Sequence, residues 1–318
     1  MDISKNQLVI EGHIPFDKSW IIRMGVLDLT KGYDTILRFL EKHDKDLSSD
    51  LKSLYDTCLA WRGGRTVDVG ESGTLYRFLQ FANWKLDLKK EFTFHGTLEA
   101  RAKEICNRPE IIYLPLEKLL ELDNHTSQWA SAAVLMGSKE KLEDIKNPPY
   151  KLKLTYEALE HWKEKRSRGL EWDYRYDETI LRQAETFLKI LGNKETSKPD
   201  FEPRHSEDYC FARAFNYITR KQGEELWPSL KSHESNRLEE MEREIEKFES
   251  AKGGAGLAGV ECKIKEISSQ DHRVVQAIAM LQFYYFFSTK AAYRDCVSKS
   301  WPQFWKFLAA AENLKHLV

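Results

Sequence analysis

A short apolar strand, a polar turn and a helix whose first residues are Ser, Thr, Lys, Asp or Arg: this succession recurs along the 318-residue chain. Thr66 to Gly70 reads as a strand, Gly70-Glu71-Ser72-Gly73-Thr74 as a tight turn, and Leu75, Phe78 and Leu79 as the apolar stripe of the helix that follows. Gln7 to Ile10 is a strand candidate ahead of Pro15-Phe-Asp-Lys18-Ser19 and the apolar set Ile21, Ile22, Met24, Val26 and Leu27, and Glu91 to His95 is another ahead of a helix over 98–106. Such alternation predicts α/β layers. Further helices are expected over 34–41, 47–61, 156–165, 177–191, 209–220, 231–248 and 274–287, with a last one ending near Leu314. Gly254-Ala-Gly256-Leu-Ala-Gly259 is formally a G-x-G-x-x-G, but it follows a helix and precedes a strand, the reverse of the dinucleotide-binding order.

Length alone suggests two domains. The 49 basic and 50 acidic side chains leave a formal charge of -1, so no global field draws nucleic acid or an anionic membrane, and an anion has to be held by a local cluster. The longest apolar run, Ala277 to Phe287, is interrupted by Gln282 and too short to span a bilayer, and the N-terminus lacks an apolar signal core. A cytoplasmic monomer with small-molecule partners, no nucleic acid and no membrane is the expectation. Cysteines 58, 106, 210, 262 and 296 form no C-x-x-C pair, and the nine histidines no H-x-H, which predicts reduced thiols, no metal and no cofactor.

The helix starts carry the chemistry. An N-terminus offers unpaired N–H groups and the positive end of the helix dipole, so Lys18 and Ser19 with Arg23 one turn on, Gly73 after Ser72, and Thr126-Ser127-Gln128 ahead of a small-residue helix are each candidate anion sites. Each is equally readable as an ordinary capped helix. Asp208 opens the helix from Tyr209, and Lys231-Ser-His233-Glu234-Ser-Asn-Arg237 sets a carboxylate and a guanidinium one turn apart before Leu238, Met241, Ile245 and Phe248.

In order, these motifs resemble the enolpyruvyl transferases, in particular the 5-enolpyruvylshikimate-3-phosphate synthase family. Lys18-Ser19 with Arg23 is similar to its K-S-x-x-x-R, Glu71-Ser72-Gly73-Thr74 with Arg77 to its N-[SA]-G-T-x-x-R, and Thr126-Ser127-Gln128 with Ser131-Ala132 to its S-S-Q-x-x-S-A. Asp208, then His233-Glu234-Ser235-Asn236-Arg237-Leu238, Asp271-His272-Arg273 and Lys299-Ser300-Trp301-Pro302 with Phe304 follow in the family's order. The resemblance implies an α/β fold of two similar domains, each of repeated α/β units around helices with some units trimmed. Residues 1–18 plus 173–318 would form one domain and 19–172 the other.

It also implies transfer of the carboxyvinyl group of phosphoenolpyruvate to a hydroxyl of shikimate 3-phosphate, without a metal. Lys18, Gly73, Arg101, Gln128, Arg237, Arg273 and Lys299 would bind phosphoenolpyruvate. Ser19, Arg23, Thr126, Ser127, Gln128, Asp208 and His233 would bind the acceptor, and Lys18, Asp208 and Glu234 would move protons. Arg101 and Lys103 both stand near the family's second arginine. The chain is shorter than is usual for the family; Glu71 stands where the family has Asn, His233 where it has Lys, and Asn236 where it has Asp. Two alternatives therefore stand beside this activity: the same chemistry on another anionic, hydroxylated acceptor, and a non-catalytic anion- or partner-binding protein.

Overall fold

The computed structural model describes residues 10, 12–64, 66–101, 105, 107–122, 127–192, 199–232, 236–253, 264–286 and 288–315. Among them the chain is mostly helical with two short parallel strands, a mixed α/β fold. It divides into two compact units, Phe16–Arg175 and Met1–Pro15 with Tyr176–Val318, here the central and terminal units.

The central unit runs α1 (Lys18–Lys31), α2 (Thr35–Lys42), α3 (Ser49–Trp61), β1 (Thr66–Asp68), α4 (Gly73–Lys85), β2 (Glu91–Thr93), α5 (Gly96–Arg101), α6 (Leu116–Leu122), α7 (Gln128–Leu135) and α8 (Tyr150–Ser167). Asp17 starts α1 by accepting from the N–H groups of Ser19 and Trp20, and Gly32, in the left-handed region, ends it. Every residue from Trp20 to Asp28 is buried, so α1 is the helix around which α2, α3, α4 and α8 pack. Each fully buried Ile, Leu, Val or Met there contributes roughly 1.5–3 kcal/mol. Gly25 permits the closest of these approaches, since a Cβ at this position would lie 2.8 Å from Leu54 Cδ2.

The strands expected at 66–70 and 91–95 shorten to three residues each and pair in parallel, Thr66 with Glu91, Val67 with Phe92 and Asp68 with Thr93. An isolated parallel bridge pairs Ile267 with Ala291. Helix against helix supplies most of the layers that the strand pattern predicted.

One carboxylate joins four segments of this core. Asp28, fully buried, accepts at Oδ1 from Trp162 Nε1 (2.8 Å) and Arg166 Nη2 (2.7 Å), and at Oδ2 from Ile36 N (3.0 Å) and Trp172 Nε1 (3.1 Å). Its lone pairs thereby satisfy two indoles, a guanidinium and the free N-terminus of α2.

The terminal unit contains α9 (Glu178–Leu191), α10 (Tyr209–Ala214), α11 (Arg220–Leu226), α12 (Arg237–Gly253), α13 (His272–Phe286) and α14 (Phe304–Lys315). α13 is buried without a break from Arg273 to Phe283 and is the core helix of this unit, which is why its sequence is apolar on all sides. Phe187, Tyr209, Met241, Trp301 and Phe307 belong to the same core, and Trp301 Nε1 donates to His13 O (2.6 Å), fastening the N-terminal segment. The single helix expected over 209–220 is two: α10 ends at Ala214, Asn216 takes a positive φ of 56°, and a Thr219–Gln222 capping box starts α11. The helix expected over 231–248 starts later, at Arg237, after a 3₁₀ turn (Pro228–Ser232) and Asn236 at φ 47°. No helix among the described residues is long and apolar enough to cross a membrane.

Candidate functional site

In the central unit a chain of contacts runs through successive helix starts. Lys18, first residue of α1, donates from Nζ to Asp50 Oδ2 (2.7 Å) in the first turn of α3. Ser19 Oγ accepts from Lys151 Nζ (3.3 Å) at the start of α8. The side chain of Ser53 on α3 fills the space beside Gly70 after β1, and His95 N, after β2, donates to Gly70 O (3.2 Å). In the same turn the Glu71 carboxylate occupies the place a side chain would need at Gly96, where φ is 58° and α5 begins. Arg77 spans two further helix starts, donating through Nη1 to Gln128 Oε1 (2.6 Å) at the head of α7 and to Gly73 O (3.4 Å) at the head of α4.

These helix ends are not equivalent. α1 is capped by its own Asp17, whereas Ser48, Ser72 and Ser127, at the N-caps of α3, α4 and α7, make no side-chain cap hydrogen bond. The buried Oγ atoms of Ser48 and Ser127 have no partner among the described residues. The first-turn N–H groups of α4 and α7 receive no cap from these serines, and anions favour a helix N-terminus.

Arg23 lies one turn deeper. Its Nε donates to Thr155 Oγ1 (2.8 Å), Nη1 to Ser19 O (2.7 Å) and Nη2 to Lys151 O (2.9 Å), and Thr155 Oγ1 donates to Ser131 Oγ (2.9 Å). Burial pulls the guanidinium down to about 10, against the raising effects of Asp17 and Tyr150, and it stays a cation at neutral pH. Arg23 therefore locks the starts of α1, α7 and α8 together, directly beneath Ser19.

The terminal unit gathers a second set. Arg237 opens α12, is 5% exposed, and donates from Nε to Asp271 Oδ2 (3.0 Å). Burial lowers its affinity for the proton, but Asp271, Cys210 and Glu207 together outweigh this and the net shift is upward. Asp271 Oδ1 caps α13 by accepting from Arg273 N (2.8 Å) and Val274 N (3.3 Å). Asp271 is thus fully engaged. Arg273, 5% exposed, has no hydrogen-bond partner for Nε or Nη1 among the described residues.

The buried Cys210 thiol feels Arg237, Asp271 and Arg273; burial pushes it up to about 12, so it remains a neutral thiol beside these charges. Gln276, one turn after Arg273, donates to Ser300 Oγ (3.0 Å), next to Lys299 at the end of the 3₁₀ segment Arg294–Lys299.

Asp208 is fully buried where α10 begins, and its side chain makes no cap hydrogen bond. Arg182 Nη2 donates to Oδ2 in a short contact, and Gln183 Nε2 donates to Oδ1 (2.9 Å). Burial raises its pKa, while Arg182, Gln183 and His205 act in the opposite sense.

Thr126, His233, Glu234 and Lys103 lie outside the described residues, as does the side chain of Arg101 at the end of α5. Within the central unit Lys18 pairs with Asp50, Arg23 and Lys151 hold Ser19, and Arg77 links Gly73 with Gln128; within the terminal unit Arg237 and Arg273 flank one carboxylate, Asp271. Asp50, Lys151 and Arg182 complete these sets and were not among the residues expected. Asp50 had a local signal, being an acidic residue in a first helical turn; Arg182, paired across 26 residues, had none.

No protein-family model, curated protein or solved structure matches this chain.

Proposed function

We propose that the chain transfers the carboxyvinyl group of phosphoenolpyruvate to shikimate 3-phosphate, releasing inorganic phosphate and belonging with the 5-enolpyruvylshikimate-3-phosphate synthases. Arg273 carries this reading. A buried guanidinium with two nitrogens, Nε and Nη1, unpartnered among the described residues is costly to a fold unless a ligand anion completes it. Its neighbour Arg237 is already paired with Asp271, so that carboxylate does not complete the Arg273 side chain. The carboxylate or phosphate of phosphoenolpyruvate meets that need, bound in the terminal unit by Arg237, Arg273 and Lys299. The acceptor hydroxyl goes to Asp208 and His233 of the same unit.

In the first step the acceptor hydroxyl oxygen bonds to C2 of phosphoenolpyruvate. Asp208 takes the hydroxyl proton, and Glu234 delivers a proton to the C3 methylene, which becomes a methyl group. In the second step the C–O bond to phosphate breaks, a proton leaves the methyl carbon for Glu234, the departing phosphate takes up the proton held by Asp208, and the new enol ether and inorganic phosphate depart. The low-dielectric surroundings of Arg273 strengthen its hold on charge that develops on the phosphate.

The test is phosphate release from phosphoenolpyruvate by the purified chain with shikimate 3-phosphate present. Turnover that Glu234→Gln or Asp208→Asn abolishes supports the proposal; binding of both substrates without phosphate release sinks it. A second reading, the same chemistry on a different anionic, hydroxylated acceptor, is favoured by Glu71, a carboxylate where the family pattern has Asn. Turnover only with another alcohol would select it.

A further inference from the structure

Asp208 and Arg182 point to a residue that serves the chemistry without touching substrate. α9 presents Arg182 and Gln183 side by side, and the two side chains take one oxygen each of the Asp208 carboxylate. Asp208 is completely buried, whereas the Arg182 side chain is 29% exposed and its Nε is unpartnered among the described residues. A carboxylate so placed needs a fixed counter-charge to stay ionised. Each of its oxygens accepts one hydrogen bond from this pair and retains a second lone pair for a proton.

The other groups acting on Asp208 do not replace Arg182. His205, in the turn before α10, is held below the ordinary histidine range by burial and by Arg182, and is neutral near pH 7. Glu207 is a carboxylate and Gln183 is uncharged.

We propose that Arg182 is a positioning residue, keeping the Asp208 carboxylate anionic and fixed in orientation so that it accepts the proton of the attacking hydroxyl. The role within a reaction rests on the transferase reading above; the pairing does not. Arg182 moves no proton itself. Its loss raises the pH at which Asp208 becomes an anion, so the acid limb of the pH–rate profile moves upward while substrate affinity is nearly untouched.

The experiment uses the full chain with Asp labelled at ¹³Cγ, the Asp208 resonance being assigned by its absence in Asp208→Asn. In Arg182→Gln the Asp208 titration midpoint is expected to rise by about one pH unit or more. In turnover assays kcat near pH 7 should fall about tenfold, with KM within about threefold and the acid limb displaced by the same interval. Arg182→Lys should recover most of both shifts. An unchanged midpoint in a folded Arg182→Gln overturns the proposal, as does a rise in KM with kcat unchanged.

If Arg182→Gln alone fails to fold, the Arg182→Gln/Asp208→Asn double variant decides: recovery of the fold supports the pairing, and failure of both means that the fold, not Asp208, requires Arg182. A wild-type chain without turnover removes the transferase reading, and the resonance titration still decides whether Arg182 sets the state of Asp208.

Discussion

Replacing Asp28 by Asn is the sharpest probe of how the central unit holds together. The carboxylate receives four donors, two at each oxygen. An amide has one oxygen and one NH₂ group, so in either orientation two donors face N–H groups and lose their acceptor. If the NH₂ meets the Oδ1 side, Trp162 Nε1 and the Arg166 guanidinium are stranded; if the Oδ2 side, Ile36 N and Trp172 Nε1. Each stranded buried donor costs about 1–3 kcal/mol, and Arg166, whose side chain is 17% exposed, also loses its counter-ion.

The expected loss is about 3–5 kcal/mol, the range for breaking one side of a buried charged pair. Urea denaturation followed by circular dichroism and tryptophan fluorescence measures it, fitted with one transition for each unit because each has its own core. The loss should fall on the transition of the central unit. Arg166→Met in the Asp28→Asn background should recover part of it, since the orphaned cation is then gone. A loss below about 1 kcal/mol with unchanged slope would refute the argument that these four bonds act as one buried network.

Other consequences are equally direct. Gly25→Ala places a methyl group 2.8 Å from Leu54 Cδ2 between α1 and α3, and the central unit should lose about 1–3 kcal/mol by urea denaturation. Arg273→Met should leave stability unchanged or raise it by up to about 4 kcal/mol, because it removes a buried guanidinium whose Nε and Nη1 have no partner among the described residues, while calorimetry shows phosphoenolpyruvate binding weakened at least about tenfold. A destabilisation above about 2 kcal/mol would show that Arg273 serves the fold. His43, His161 and His205 are all held below the ordinary histidine value, mainly by burial. Their contribution to stability is therefore complete above a pH of about 6.5 and is lost as pH falls below it through the folded values, because the unfolded chain takes up these protons first. The urea midpoint should decline from about pH 6.5 toward 5, and replacing all three by Gln should flatten that decline.

Local pattern determined much of what this protein is. Helix starts at Lys18, Gly73 and Gln128 were legible because a cap or turn residue followed by apolar side chains at helical spacing has few other solutions, and Val67 and Val69 between glycines marked β1 in the same way. The apolar runs of α1 and α13 announced helices buried on every side. Only the tertiary structure decided which strands formed, since strand pairing draws on partners distant in the chain, and which side of Asn216 belonged to which helix, since a positive φ at an ordinary residue has no apolar signature. The polar partnerships were its work too. Asp28 meets Trp162, Arg166 and Trp172 across 134 to 144 residues, Arg237 meets Asp271 across 34, and Lys18 meets Asp50 across 32. Charge pairs this far apart leave no periodic trace, because their spacing is set by the packing of the helices that carry them.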